Sequence, residues 1–224
     1  WGKFADCVTV LPKRIFSAKF VSNGWVSQQV LKILAASISH NVWSMVLDAK
    51  TIFVNHVSID QLIDQQGRAQ VGQLDIYPVF EPSQQLVNEF YGINLDRQLG
   101  PGGVPFLFHN RVTRSMIAHA ENQTQTSFVD WFQAQGRLTE FILYSGYVQY
   151  SYGSFDKLYS PVCNLQPHNI CHSEVGIFDQ KISQAVDIDT ISVHRNAWTQ
   201  LTSLQQHRYR DYLIDCGITT ARNL

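Results

Sequence analysis

A chain of 224 residues with 45% hydrophobic and 16% charged content has the composition of a globular domain and is long enough to bury a sizeable core. Its formal net charge is −1, so it lacks the basic footprint of a nucleic-acid-binding protein, and its densest basic group (Lys13, Arg14, Lys19) reads as a solvated face. No run approaches the ~20 apolar residues that span a bilayer, and no signal peptide is visible.

In chain order, "CVTVL" (7–11) reads as a short strand and the segment after it as a loop. From Trp25 to Ser39 the apolar residues Val26, Val30, Ile33, Leu34 and Ile38 recur at helical spacing, with Ser22 or Asn23 as the cap. "VWSMVLDA" (42–49) is a continuous apolar run of strand length, the pattern of a strand buried on both faces. "TIFVNHV" follows as a second extended piece. "IDQLIDQQG" (59–67) reads as a short helix closed by a left-handed glycine cap. "QLDIYPVF" is strand-like, and "SQQLVNEFYGI" is a helix stopped at Gly92. "GPGGVPFLFHN" is a loop entering a strand. Helices are predicted over 113–120 and 127–135, the second ended by Gly136. "LTEFILYSGYVQYSYG" starts as a helix or an aromatic-rich extended segment. Residues 158–180 read as irregular, "DTISVHR" as a late strand, and "TQLTSLQQHRYRDYLIDCG" as a closing helix ended by Gly217. Strands alternating with helices argue an α/β class, and neither a repeat nor a low-complexity segment is visible.

The cysteines Cys7, Cys163, Cys171 and Cys216 form no Cys-x-x-Cys pair, which points to a reducing, cytosolic compartment. The chain begins at Trp1 without a methionine, as expected of a processed product, a trimmed form or a fragment.

Asp48 is the strongest candidate for chemistry. Ligands of open α/β sheets gather outside the carboxyl ends of strands. An acid there can ligate a metal or hold a ribose hydroxyl. Lys50, two residues on, shares its face in extended geometry and offers a point charge for a phosphate. An ordinary surface turn with two charges is the alternative. On the preceding helix Gln28 and Lys32 are four apart and share one face. A second cluster, Cys163, His168, Cys171 and His172, has the residue types of a zinc site, but the spacing fits no finger or ribbon. A loop with buried cysteines is the preferred reading there. No Gly-x-Ser-x-Gly elbow is present, and "GPGG" lacks the lysine of a phosphate loop. Tyr144, Tyr147, Tyr150 and Tyr152 can stack on sugars but read better as core and rim packing.

Five segments occur in order: "NGWVSQQVLKILAA", "WSMVLDAKTIFVNHV", "VPFLFHNRVTRSMIA", "LTEFILYSGYV" and "ISVHRNAW". Together, over roughly residues 20 to 218, they resemble a bacterial family with a GT-A-type glycosyltransferase fold. The shared marks are a Gly-aromatic-x-x-Gln-Gln-x-x-Lys helix, a Leu-Asp-x-[Asp/Lys] strand end and a Ser/Thr-Glu-aromatic-x-Leu-Tyr segment. The resemblance implies a mixed sheet flanked by helices in one domain, 1–224. It also implies a nucleotide-sugar donor and a glycan or other hydroxyl acceptor, in surface-polysaccharide synthesis in the cytoplasm or at the inner face of the membrane.

Carried onto this sequence, it makes Asp48 the first acid of a metal-diphosphate motif and puts Lys50 in place of the second. Glu140 becomes a base or sugar ligand near the acceptor. His194 matches a late residue that closes over the diphosphate, with Arg195 beside it. Gln29 and Lys32 frame the donor pocket. If a metal binds, manganese or magnesium on Asp48 and His194 is expected, although a cation in place of an anionic ligand works against a divalent ion. Lys50, helped by His194 or Arg195, would then supply the charge that stabilises the leaving diphosphate. Before Cys7 almost nothing stands where the family's nucleotide-binding half begins. That portion is expected to be short, missing, or completed by a homo-oligomer or another partner subunit. A non-catalytic nucleotide- or sugar-binding module and a structural subunit are the alternatives to a transferase.

Overall fold

The computed structural model describes residues 6, 8–12, 15–16, 24–100 and 104–218. The expected cap at Ser22 or Asn23, Cys7, the basic group at 13, 14 and 19, and residues 101–103 of the glycine loop lie outside them. The architecture is α/β with small mixed sheets.

The elements in order are α1 (Gly24–Ile38), β1 (Trp43–Val46), β2 (Thr51–Phe53), α2 (Ile59–Leu62), β3 (Ala69–Gln70), β4 (Gln73–Asp75), α3 (Glu81–Tyr91), β5 (Arg97–Leu99), β6 (Phe106–His109) and α4 (Asn110–Thr124). They continue as α5 (Phe128–Gln135), α6 (Glu140–Tyr152), β7 (Tyr159–Ser160), β8 (Pro167–Ile170), α7 (Phe178–Ser183), β9 (Thr190–Val193), α8 (Arg195–Trp198) and α9 (Ser203–Asp215). Strands pair as β1 with β6, β3 with β7, β4 with β5, and in the order β2-β9-β8.

Several elements depart from the sequence expectations. Residues 8–12 carry no strand. The run at 42–49 contributes only the four residues of β1, each partly exposed rather than buried on two faces. Leu47 beyond it is exposed. Helix α2 stops at Leu62, with Ile63 extended. Gly67, at φ 78°, therefore caps no helix. It sits in a turn built by Asp64, whose carboxylate accepts from the backbone N–H groups of Gln66 (3.0 Å) and Arg68 (2.8 Å) and from Arg68 Nε (2.9 Å). A side-chain acceptor mimics a backbone turn and outcompetes further helix. Gly92 at φ 65° does end α3 as expected, because an L side chain there would be strained.

The chain divides into two compact units, each assembled from three segments. The first comprises residues 1–44, 77–95 and 108–150. Val26, Val30 and Ile33 of α1 are buried in it, as are Val112 and Met116 of α4 and Phe128 and Phe132 of α5. Arg114 donates from one guanidinium nitrogen to the carbonyls of Ser37 (3.1 Å) and Ser39 (2.9 Å), closing the end of α1. Helix α6 buries residues around its circumference, including Ile142, Leu143, Tyr144, Tyr147 and Val148, as a core helix must. Its Gly146 allows close approach of α3, since a Cβ there would overlap Val87 Cγ1 and meet Tyr91. Gly146→Ala should therefore destabilise by ~1–3 kcal/mol through overpacking, outweighing the ~1 kcal/mol gain in helix propensity. Thermal unfolding checks this, and an unchanged or raised midpoint contradicts it.

The second unit comprises residues 45–76, 96–107 and 151–224. One hydrophobic cluster underlies its three-stranded sheet. Ile191 and Val193 of β9 and Ile170 of β8 pack with Phe178, Ala197, Tyr209 and Leu213 from α7, α8 and α9.

Candidate functional site

The register of the β2-β9-β8 sheet gathers residues that are far apart in sequence. β8 runs parallel to β9 with Ile170 opposite Val193. β2 runs antiparallel on the other side of β9, with Thr51 opposite Ser192. The carboxyl ends of β8 and β9 and the start of β2 therefore share one edge. The residues just beyond that edge are His172, His194 and the Asp48-Ala49-Lys50 segment. This is the edge at which open α/β sheets place their ligands.

Two features fix His194. Its backbone N–H donates to the Ile170 carbonyl at 2.9 Å, and its Nδ1 accepts from the Asn196 N–H at 3.2 Å. With Nδ1 an acceptor, the neutral ring carries its proton on Nε2. Its pKa lies below the ordinary imidazole value, first through burial, then through the positive charges of Lys50 and His172, with Asp48 opposing. Asp48, Lys50 and His172 are thus all near enough to act on His194. Lys50 reaches Asp48 by a turn, not by strand alternation. The Thr51 N–H donates to the Asp48 carbonyl at 2.9 Å, and Lys50 Nζ lies 2.6 Å from Asp48 Oδ2. Both side chains keep partial solvent access. Arg195 is exposed at the start of α8.

A divalent metal fits this set poorly. The Asp48 carboxylate that would bind it is engaged by the Lys50 ammonium at 2.6 Å, a contact that works against a divalent ion. What the edge offers is the Lys50–Asp48 ion pair with two imidazole rings beside it.

The other predicted site residues belong to the first unit. Lys32 Nζ lies 3.1 Å from Glu140 Oε1, with side chains 12% and 6% exposed. Gln29, also buried, accepts the Glu140 backbone N–H at 3.1 Å through Oε1. Lys32 also stands 5.3 Å from the centre of the Phe141 ring. Gln28, expected to share a polar face with Lys32, is exposed while Lys32 turns inward. The structure therefore brings Gln29, Lys32 and Glu140 together, and separately brings Asp48, Lys50 and His194 together.

The Cys/His segment resolves into different roles. His168 lies on β8, its pKa lowered by burial and then by the charge of Lys181. Cys163 is a free thiol, raised in pKa by burial, that donates to the Leu165 carbonyl at 3.4 Å. Cys171 is free and exposed. Sequence reasoning missed His172 as a partner of His194, since only the pairing of β8 with β9 reveals it. Tyr144 is a core residue whose hydroxyl accepts the His109 N–H at 3.0 Å. Tyr150 stacks on Tyr91 at 5.3 Å.

Fold and site together define an α/β protein whose sheet edge carries Lys50, His172 and His194 beside Asp48. Residues 5–208 match the family described as a family of unknown function (DUF6492), and the chain belongs to that family. No curated protein matches it. Among the described residues no helix is long and apolar enough to cross a membrane.

Proposed function

We propose that the protein is a glycosyltransferase of GT-A-like fold that takes a sugar from a nucleotide-sugar donor to a hydroxyl of a glycan or other acceptor. Surface-polysaccharide synthesis at the inner face of a bacterial membrane is the setting that the sequence resemblance supports. The observation that carries the reading is the gathering of Lys50, His172 and His194 beside Asp48 at the carboxyl edge of β8 and β9. A nucleoside diphosphate is the ligand class that such an edge suits. In transfer, the acceptor oxygen bonds to the anomeric carbon, and the bond from that carbon to the diphosphate oxygen breaks with its electron pair on the oxygen. Lys50 and the Nε2–H of His194 are donors suited to that developing charge. Fixed donors of this kind supply several kcal/mol only when positioned in advance, and the His194 bonds to Ile170 and Asn196 provide such positioning.

The resemblance matches Glu140 to an acid that takes the acceptor proton as general base or binds a sugar hydroxyl. Its pairing with Lys32 favours a second reading, a module that binds nucleotide sugars without transferring them, because a base must first leave its ammonium partner. A thermal-shift screen of uridine, guanosine and thymidine diphosphate sugars in EDTA, followed by assay of nucleoside diphosphate release with glycan acceptors, separates the two. At a hundredfold excess over Kd, a donor should add about 2.7 kcal/mol, roughly 5–10 °C for a chain of this size. Binding with release supports the transferase, and binding without release supports the module. Absence of any shift removes both.

A further inference from the structure

The first unit contains a cavity of about 310 Å³ bordered by α3, α4, α5 and α6. Phe90 and Trp131 line it with Leu138, and Glu89, Gln123 and Gln135 supply its polar groups. The two aromatic rings lie 4.6 Å apart at 35°. Each amide is tied to one of these aromatic residues. Gln123 Nε2 donates to the Phe90 carbonyl at 3.5 Å and Gln135 Nε2 to the Trp131 carbonyl at 3.2 Å. Glu89 is exposed, with no ion pair or hydrogen bond among the described residues. No lysine, arginine or histidine among the described residues lines the cavity.

From this lining we infer that the cavity is a binding site for one neutral pyranose ring. Four physical constraints lead there. The volume stands at the floor of the range for ligand pockets, roughly 300–1,000 Å³, which suits a single ring. A lone carboxylate without any cation repels phosphorylated ligands. An acyl chain would cover the Glu89 carboxylate, and burying a charge without a counter-charge costs free energy. A quaternary ammonium would satisfy the rings and Glu89 but has no donor or acceptor for the amide groups. A sugar ring matches all of them. Its C–H face meets the electron-rich face of an aromatic ring, and its hydroxyls donate to Glu89 and exchange hydrogen bonds with Gln123 and Gln135. The inference rests on the first unit alone and stands or falls independently of the diphosphate site.

Saturation-transfer NMR on the intact protein tests it, with the methyl glycosides of glucose, galactose and N-acetylglucosamine as probes and choline and glucose 6-phosphate as controls. At least one neutral glycoside should show saturation at its ring protons and shift the Trp131 indole N–H signal. Glu89→Gln, at an exposed position that leaves folding intact, should weaken that binding about tenfold through loss of a charge-assisted hydrogen bond. Trp131→Phe should weaken it further. The inference is overturned if no glycoside binds, if choline or the phosphorylated sugar binds better, or if glycoside binding is unchanged in Glu89→Gln and Trp131→Phe.

Discussion

Lys32→Ala lowers the stability of the protein by about 3–5 kcal/mol, the usual cost of leaving a buried charge without its partner. The pair earns this expectation from its burial, with Lys32 and Glu140 side chains 12% and 6% exposed at 3.1 Å. For a chain of this size the loss corresponds to a fall of ~6–20 °C in the unfolding midpoint. Glu140→Gln retains the shape but removes the anion that faces the Lys32 ammonium, so it too destabilises. The double variant Lys32→Met/Glu140→Gln, which removes both charges, should recover much of the loss, because the coupling of a buried pair is not additive. A midpoint change below ~2 °C for Lys32→Ala contradicts the assignment. The outcome also decides how Glu140 kinetics are read. A rate loss in Glu140→Gln is evidence for a base only where the variant remains folded at the assay temperature. A base role predicts a loss of ~10²–10⁴, and an unchanged rate removes it.

The second expectation has opposite signs at two residues separated by one. Lys50→Ala should weaken binding of a nucleoside diphosphate about 10- to 100-fold, because it deletes a charge-assisted bond worth about 1.5–3 kcal/mol and uncovers the carboxylate of Asp48. Asp48→Asn should strengthen that binding, because it releases Lys50 from the 2.6 Å contact and removes a negative charge from the edge. A metal-dependent site predicts the reverse for Asp48, since loss of a ligand acid abolishes donor binding. Calorimetric titration of both variants, with EDTA and with manganese, distinguishes the two. Weakened binding in Asp48→Asn that manganese governs would contradict the charge-replacement account.

Much of the helical content was legible in the sequence, because helices announce themselves through periodicity and end signals. The stripe from Val26 to Ile33 marked α1, and Gly92 and Gly136 marked the ends of α3 and α5. Strands were read less well. The apolar run at 42–49 looked like a central strand, yet only Trp43–Val46 is extended, and its residues stay partly exposed. "PHNI" carries a proline and two polar residues, a local pattern that reads as irregular although it forms β8. Its place in the sheet comes from pairing with β9, and pairing is a long-range property that local pattern does not encode. The candidate site shows the same division. Asp48, Lys50 and His194 could be named from residue type and resemblance, whereas His172 could not, because its nearness to His194 depends on the β8–β9 register. The Lys32–Glu140 pair joins residues 108 apart, and nothing local announces it.

The central claim is that the edge formed by β8, β9 and the Asp48–Lys50 turn receives a nucleoside diphosphate without a metal. The most direct measurement is chemical-shift mapping of the ¹⁵N-labelled protein titrated with uridine, guanosine and thymidine diphosphates in EDTA. The account predicts that at least one saturates and that the largest shifts fall on residues 48–50, 172 and 194, with the side-chain nitrogens of His172 and His194 moving together. No saturation by any of the three, or shifts that appear only after manganese is added, would contradict it.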